Sequence, residues 1–403
     1  MDLKKKLAYY KKAGQEGDKA DDTIQSPPAV PPSVKALLEH FDAQLLEASA
    51  TAVLKMQNEF PCSHNLQESV SISRLSKRQI TQPIDLNQCL FFDLETTGLS
   101  AGTGTYPFLL GFGYFVEGRF RIVQYFLPDF GREYHVFKDI SPLFNSKRYL
   151  ISYNGKSYDL PLLKTRAVMN RLSIDFDRLI HIDLLHLTRR VWKDSQERCD
   201  LNSVEAFQLG LRRTTDIPGW QIPQAYLNFL RTGGIHEMIA AIEHNVQDIY
   251  SLAKLLVRLS EIEQQPEILQ DTKALMRLAH LALEIEDFPF FQRIAERIRQ
   301  EEKRENGQLT YLKSRFLKKL RDWPRAVAAW QALLENPSYR FYALQELAKY
   351  YEHHKKNIAL AITYCDQALR RLKILEELNP YAFDRSLKEA FLKRKERLKR
   401  KIS

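Results

Sequence analysis

The sequence predicts a mixed α/β sheet flanked by helices, followed by an all-helical region, and three observations carry that reading. From Cys89 the runs CLFFDLE, FLLGFGYF and RFRIVQYFLP are apolar, and Glu117-Gly118 joins the last two, the pattern of an antiparallel meander with a tight hairpin turn. Strand-like and helix-like patterns then alternate to about residue 260. Beyond residue 267 no strand-like run remains, and a faint 35-residue period relates Ala326, Trp330 and Leu333 to Ala361, Cys365 and Ala368.

In chain order, residues 1–34 combine a short basic segment with the proline-rich SPPAVPPS, expected as a flexible linker. Residues 35–84 read as a helical and irregular lead-in that opens on VKALLEHFDAQLL. Residues 85–262 hold the sheet: the meander, a helix over 132–145, the strand YLISYN, a helix over 159–170, the strand LIHID, and helical segments to 260. Residues 267–403 read as a basic helical domain similar to tetratricopeptide helix pairs, with Pro337 and Pro380 closing the two units.

Composition narrows the class. A chain of 403 residues with 44% hydrophobic content can build two or three ordinary cores. Its apolar runs fall short of the roughly 18 residues that span a bilayer, and no apolar stretch follows the basic start, so a soluble cytoplasmic protein without membrane contact is expected. The four cysteines show no CxxC spacing, against a zinc site or a disulfide framework. Lys+Arg and Asp+Glu balance at 31 each over residues 1–266 and stand at 29 against 19 beyond, so the whole excess of +10 lies in the last third. That excess suits a polyanionic partner or a solvated basic face. Its densest part, residues 385–401, carries nine Lys+Arg against two Asp+Glu and is expected to turn a basic face outward.

The sharpest feature is a pair of like charges at the end of an apolar strand. Residues i and i+2 of a strand share a face, so Asp93 and Glu95 project together while Leu94 points away. Adjacent carboxylates repel unless a proton or a cation intervenes, and a hard divalent ion takes oxygen ligands. A third acid, Asp159, follows the strand break at Asn154-Gly155 in the first turn of a helix. His244 and Asp248 stand four apart on one helix face. Each alone reads as a surface acid, a cap or a surface pair; together they read as a metal site.

At this point the sequence resembles a family. FFDLETTGL, NGKSYDLPLL and HNVQD are similar to the three motifs of the DnaQ-like, or DEDD, exonucleases on an RNase H-like fold. DLETTGLSAGTGTYPFLLGFGYF, DLLHLTRRVW, DIPGWQIPQAYLNFLRTG and ELAKYYEH resemble more closely the YprB-type branch of Bacillus-type bacteria, whose named member is a mitomycin repair exonuclease. The resemblance implies metal-dependent 3′–5′ exonuclease activity on DNA, with two Mg²⁺ or Mn²⁺ ions, in DNA repair beside a superfamily 2 helicase. It assigns the metal ligands to Asp93, Glu95, Asp159 and Asp248 and the general base to His244. One departure is the spacing, since three residues separate His244 from Asp248 where many histidine members have four, a difference of about 100° around a helix.

The chemistry expected of such a site is two-ion hydrolysis, with cations roughly 3.5–4 Å apart across the scissile phosphate and a neutral imidazole accepting a proton. Thr96, Thr97, Gly98 and Leu99 are candidates for holding the terminal ribose and base, and Asn154 for contacting substrate. Asp183 reads as a helix cap or a support of the site. The arginine pairs in LTRRVWK and LGLRRTTD suit phosphate contact or plain surface. Two alternatives stand beside the DNA exonuclease: an RNA 3′-end-trimming enzyme on the same fold, and an inactive nuclease-fold scaffold that binds proteins through its helices. Retention of all five positions speaks against the scaffold.

Overall fold

The computed structural model describes residues 30–46, 52–61, 69–98, 104–213, 216–301, 306–379 and 384–402. Residues 1–29, which hold the basic start and most of the proline-rich linker, lie outside the described residues, as does Leu99. The described chain opens on α1 (Pro32–His40), then β1 (Gln44–Leu45) and β2 (Leu54–Pro61). β3 (Ser69–Val70) and β4 (Ile84–Asp85) form a separate two-stranded ribbon.

The central meander follows the predicted course. Glu117 (φ 49°) and Gly118 (φ 72°) adopt the left-handed conformations of a two-residue hairpin turn. They fold β6 (Pro107–Val116) onto β7 (Arg119–Phe126), and β5 (Cys89–Thr96) pairs antiparallel with the other edge of β6. β8 (Tyr149–Ser152) and β9 (Ile180–Asp183) then join in parallel beside β5, reached through α2 (Glu133–Ser146) and α3 (Asp159–Met169). The finished sheet has seven strands in the order β1-β2-β7-β6-β5-β8-β9.

The segment 35–84 departs from the helical and irregular lead-in expected of it. β2 pairs with β7 along its whole length, from Leu54 opposite Phe126 to Pro61 opposite Arg119. Of its eight residues only Leu54 and Met56 are buried, so the strand leaves almost no apolar alternation in the sequence.

Both faces of the sheet are covered. Leu90, Phe92 and Leu94 pack toward α1, α2, α3 and α6 (Ile222–Thr232), while Phe91 and Ile151 pack on the opposite side. That opposite core runs through α4 (Leu184–Trp192) and the 29-residue α7 (His236–Gln264). It continues without a break into α8 (Thr272–Glu284), α9 (Phe288–Glu301) and α10 (Gly307–Lys319), reaching Phe290, Phe291 and Phe316. The short α5 (Leu201–Val204) leads into a π-helical turn, Glu205–Leu209.

From α8 onward the described residues form no strand. α11 (Trp323–Leu333), α12 (Arg340–His353), α13 (Ile358–Leu378) and α14 (Arg385–Lys399) complete the helical region. The residues of the 35-residue period fall on α11 and α13 and are all buried.

The basic helix α14 does not turn its charge freely outward. Glu352 on α12 has a fully buried side chain and accepts from Arg394, Arg397 and Lys401 at 2.6–2.8 Å. Lys388 pairs with Glu376, Lys393 with Glu389 and Lys395 with Asp366. Six of the nine cations counted in residues 385–401 thus share four carboxylates, Lys393, Arg397 and Lys401 stay exposed, and Phe391 and Leu398 bury the apolar side of the helix. Among the described residues no helix is long and apolar enough to cross a membrane.

Candidate metal and catalytic site

β5 and α7 meet at the site because two glycines let them. A Cβ on Gly111 of β6 would lie 2.1 Å from Asn245 Oδ1 and 2.3 Å from Ile249 Cδ1 of α7, so only glycine admits the helix this close. Gly111 and Gly113 of β6 are therefore a seat for a helix. In that seat Asn245 Nδ2 donates to Asp93 Oδ2 at 2.8 Å, and Gln124 Nε2 donates to Asn245 Oδ1 at 2.8 Å. Gly111→Ala should destabilise the protein by about 1–3 kcal/mol, the usual cost of overpacking, and lower any activity of the site, because α7 has to shift. Chemical denaturation checks it; an unchanged midpoint would mean that the helix yields freely.

The other side of the site comes from β8 and β9. Asp183, at the end of β9, accepts from the backbone N–H groups of Asn154 (2.8 Å), Lys156 (3.2 Å) and Leu185 (3.1 Å). It thereby caps α4 and also fixes the turn that carries Asn154 (φ 64°) and leads to Asp159 in the first turn of α3. Both readings of Asp183 hold at once.

His244 and Asp248 face this cluster from α7. Donor atoms of Glu95, His244 and Asp248 all lie within 4.8 Å of one another, and His244 Nε2 stands 3.4 Å from Asp248 Oδ2. The four-residue step thus brings the ring to the acids. Behind them lies a network that no motif announced. Arg213 pairs with Asp248 Oδ1 and is gripped by Glu205 (2.6 and 2.7 Å), while Asp216 Oδ1 meets His244 Nδ1 at 2.6 Å. One member of each arginine pair is taken up inside the protein, while Arg189 and Arg212 stay exposed. Arg213 points inward, and Arg190 donates to the carbonyl of Leu75.

The charges are unbalanced. Burial, with Asp248, Glu95 and Asp159 close by, holds Asp93 well above the usual carboxylate range. Burial, partly offset by His244 and reinforced by Asp248 and Asp159, pushes Glu95 up to about 8, and burial with Asp183 pushes Asp159 up to about 7. Asp248 goes the other way: burial opposes its charge, but His244 and Arg213 hold it below the ordinary value. Burial likewise opposes the imidazolium of His244, yet Asp248, Glu95 and Asp216 push the ring up to about 10. Three carboxyls that hold protons into the neutral range fit a divalent cation by the chemistry of their donors, all hard oxygens beside one imidazole. Metal uptake must then displace protons. Affinity for Mg²⁺ or Mn²⁺ should climb as pH rises through the Asp159 value of about 7 and the Glu95 value of about 8. Titration calorimetry in buffers of different ionisation enthalpy reads that release directly, and uptake without it would contradict these charge states.

Beside the acids opens a pocket of about 390 Å³ lined by Glu95, Thr96, Gly98, Asn154, Tyr158 and Asp159 among others. Three of the proposed substrate contacts, Thr96, Gly98 and Asn154, are on its wall. Thr96 Oγ1 donates to the carbonyl of Gly98 at 2.7 Å, and Thr97 Oγ1 accepts from the Tyr106 N–H at 3.0 Å, so both hydroxyls also build the turn.

Comparison with known proteins places this architecture. Residues 90–260, which hold the strands from β5 to β9 and most of α7, match the family model described as RNase_H superfamily. "Uncharacterized protein YprB" of Bacillus subtilis (strain 168) is 31% identical over 344 residues, covering 79% of this chain and 81% of its own. Among solved structures, a family B DNA polymerase from the hyperthermophilic archaeon Pyrobaculum calidifontis matches 59% of this chain and 30% of its own, at 14% identity and a TM-score of 0.33. With that identity sustained over most of both chains, and a superfamily match lying over the strands and helix that carry the acids, the chain belongs to the YprB family of the RNase H superfamily.

Proposed function

We propose that the protein is a divalent-metal-dependent 3′–5′ exonuclease that hydrolyses phosphodiester bonds in DNA, working in DNA repair beside a helicase. The observation that carries this is that donor atoms of Glu95, His244 and Asp248 gather within 4.8 Å of one another, with Asp93 and Asp159 as charged neighbours, beside a pocket of about 390 Å³. That volume sits at the small end of ligand sites and suits one terminal nucleotide rather than a duplex passing through. Resemblance to a DNA-repair branch favours DNA as the polymer.

Asp93, Glu95, Asp159 and Asp248 would hold the cations, which supply Lewis acidity and neutralise charge on the phosphate. The chain does the rest. The pocket wall receives the terminal nucleotide, and the turn at Thr96–Gly98 sets its depth. Water supplies the oxygen of the new P–O bond, His244 Nε2 accepts its proton, and the bond to the 3′ oxygen breaks. The products are a 5′-mononucleotide and a chain ending in a 3′-hydroxyl. His244 can accept that proton only once added positive charge relieves it of neutralising Asp248 and Glu95.

The test is digestion of end-labelled single-stranded and duplex DNA and RNA with Mg²⁺, Mn²⁺ or EDTA, scored for polarity and product size. Mononucleotides released from the 3′ end of DNA support the reading. RNA-only digestion replaces it with 3′-end trimming, and no metal-dependent digestion leaves the scaffold. In the same assay His244→Ala should lower turnover by about 10²-fold or more, as loss of a general base does, with little change in the metal concentration needed. Near-normal cleavage would move the base role elsewhere.

A further inference from the structure

We propose that Asp216 and Arg213 are positioning residues for this site: Asp216 fixes the His244 ring so that Nε2 faces Glu95 and Asp248, and Arg213 takes Asp248 Oδ1 so that Oδ2 alone faces inward. The inference rests on the nuclease reading and adds two residues that no acidic motif contains. Both come from the segment after the π-helical turn, a kind of turn that often marks functional sites.

The geometry is specific. An ionised carboxylate only accepts hydrogen bonds and a guanidinium only donates; of the two groups at His244 Nδ1, Asp216 Oδ1 at 2.6 Å and Arg213 Nη1 at 3.0 Å, the shorter contact places the proton on Nδ1. The remaining nitrogen, Nε2, then stands 3.4 Å from Asp248 Oδ2 and presents its lone pair there whenever the ring is neutral. Carboxylates behind a working imidazole set ring orientation and tautomer in this way. Arg213 Nη1 lies 3.3 Å from Asp216 Oδ2, while its Nη2 reaches both Glu205 and Asp248. Glu205 is 1% exposed, so the guanidinium is anchored from behind rather than held by the acid it serves. One fork therefore orients both residues that α7 contributes.

A purely structural ion-pair network would show the same distances, so the test separates the two roles. Asp216→Ala should lower kcat on a 3′-labelled oligonucleotide by about 10–10²-fold with KM unchanged. Asp216→Asn, whose amide oxygen still accepts from Nδ1, should recover most of that. Introduced beside His244→Ala, Asp216→Ala should cost nothing further, because it acts through a ring that is no longer there. An equal loss in both backgrounds overturns the proposal. Heteronuclear NMR of the histidine ring nitrogens, on metal-free and Mg²⁺-loaded protein, gives a readout independent of turnover. In the Mg²⁺-loaded protein the wild type should keep the proton of the neutral ring on Nδ1, and Asp216→Ala should let it exchange between nitrogens. Ring signals indifferent to Asp216→Ala overturn the placement. A wild type that digests no polynucleotide removes the nuclease reading instead, while the ring signals still decide the orientation.

Discussion

Asp93→Asn is expected to abolish hydrolysis, by on the order of 10³-fold or more, and to raise the melting temperature of the metal-free protein. The two effects share a cause. Burial raises Asp93, Glu95 and Asp159, and neighbouring carboxylates add to it: Asp248, Glu95 and Asp159 at Asp93, Asp248 and Asp159 at Glu95, and Asp183 at Asp159. A carboxyl raised on folding leaves stability intact below its unfolded value and removes it as pH climbs through the folded one, here about 7 for Asp159 and about 8 for Glu95. Asparagine carries no such charge and still accepts from Asn245 Nδ2. Glu95→Gln and Asp159→Asn should follow the same pattern. Asp248→Asn should not: His244 and Arg213 hold Asp248 below its ordinary value, so its loss lowers both activity and melting temperature. Activity assays with metal and thermal melts in EDTA check all four. A well-folded Asp93→Asn with near wild-type turnover would take Asp93 out of the site, and a lowered melt would show that these acids do not strain one another. Combining the substitutions should cost little beyond the first, since each disables one shared cluster.

Removing residues 385–403 is the second large effect, and it falls on stability. Truncating a buried phenylalanine costs about 3–5 kcal/mol, and Glu352 loses its charge-assisted hydrogen bonds as well. The deletion does both, exposing the seats of Phe391 and Leu398 and leaving Glu352 without Arg394, Arg397 and Lys401. The helical region should lose cooperative folding well below the melting point of the full chain, seen by calorimetry or circular dichroism. A deletion variant that melts like the full chain would return α14 to the role of a free basic arm, and its salt dependence of DNA binding would then be the quantity to measure.

The two cases show where the sequence was legible. Local patterns spoke clearly: the hairpin at Glu117-Gly118, the strand ending on Asp93 and Glu95, and the helical start at Asp159 need only neighbours a few residues away. β2 was hidden because two buried residues in eight leave no period to detect. Arg213, Asp216, Glu205 and Asn245 were hidden for another reason, since each matters through a partner 8 to 152 residues away. Asp216 stood in plain view inside DIPGWQIP, yet nothing in that string says that a histidine 28 residues on will receive it. Charge counting was incomplete at α14, because it registers cations and not a buried acid such as Glu352 that three of them share.

One feature of the fold fixes how substrate must arrive. The core beneath α4 and α7 passes without interruption into α8, α9 and α10, and α7 ends on Glu263, a buried carboxylate that accepts from the Leu75 N–H and the Ser71 hydroxyl. Interfaces of this apolar, continuous kind suppress the hinge motion that linked domains otherwise show. α8 to α10 are therefore a fixed outrigger and not a closing jaw, set at one distance and angle from Asp248. On the proposed exonuclease reading, progress along a polymer comes from the strand sliding over this frame, so a crosslink between α7 and α8 should leave stepping intact where it would stall an enzyme that opens and shuts.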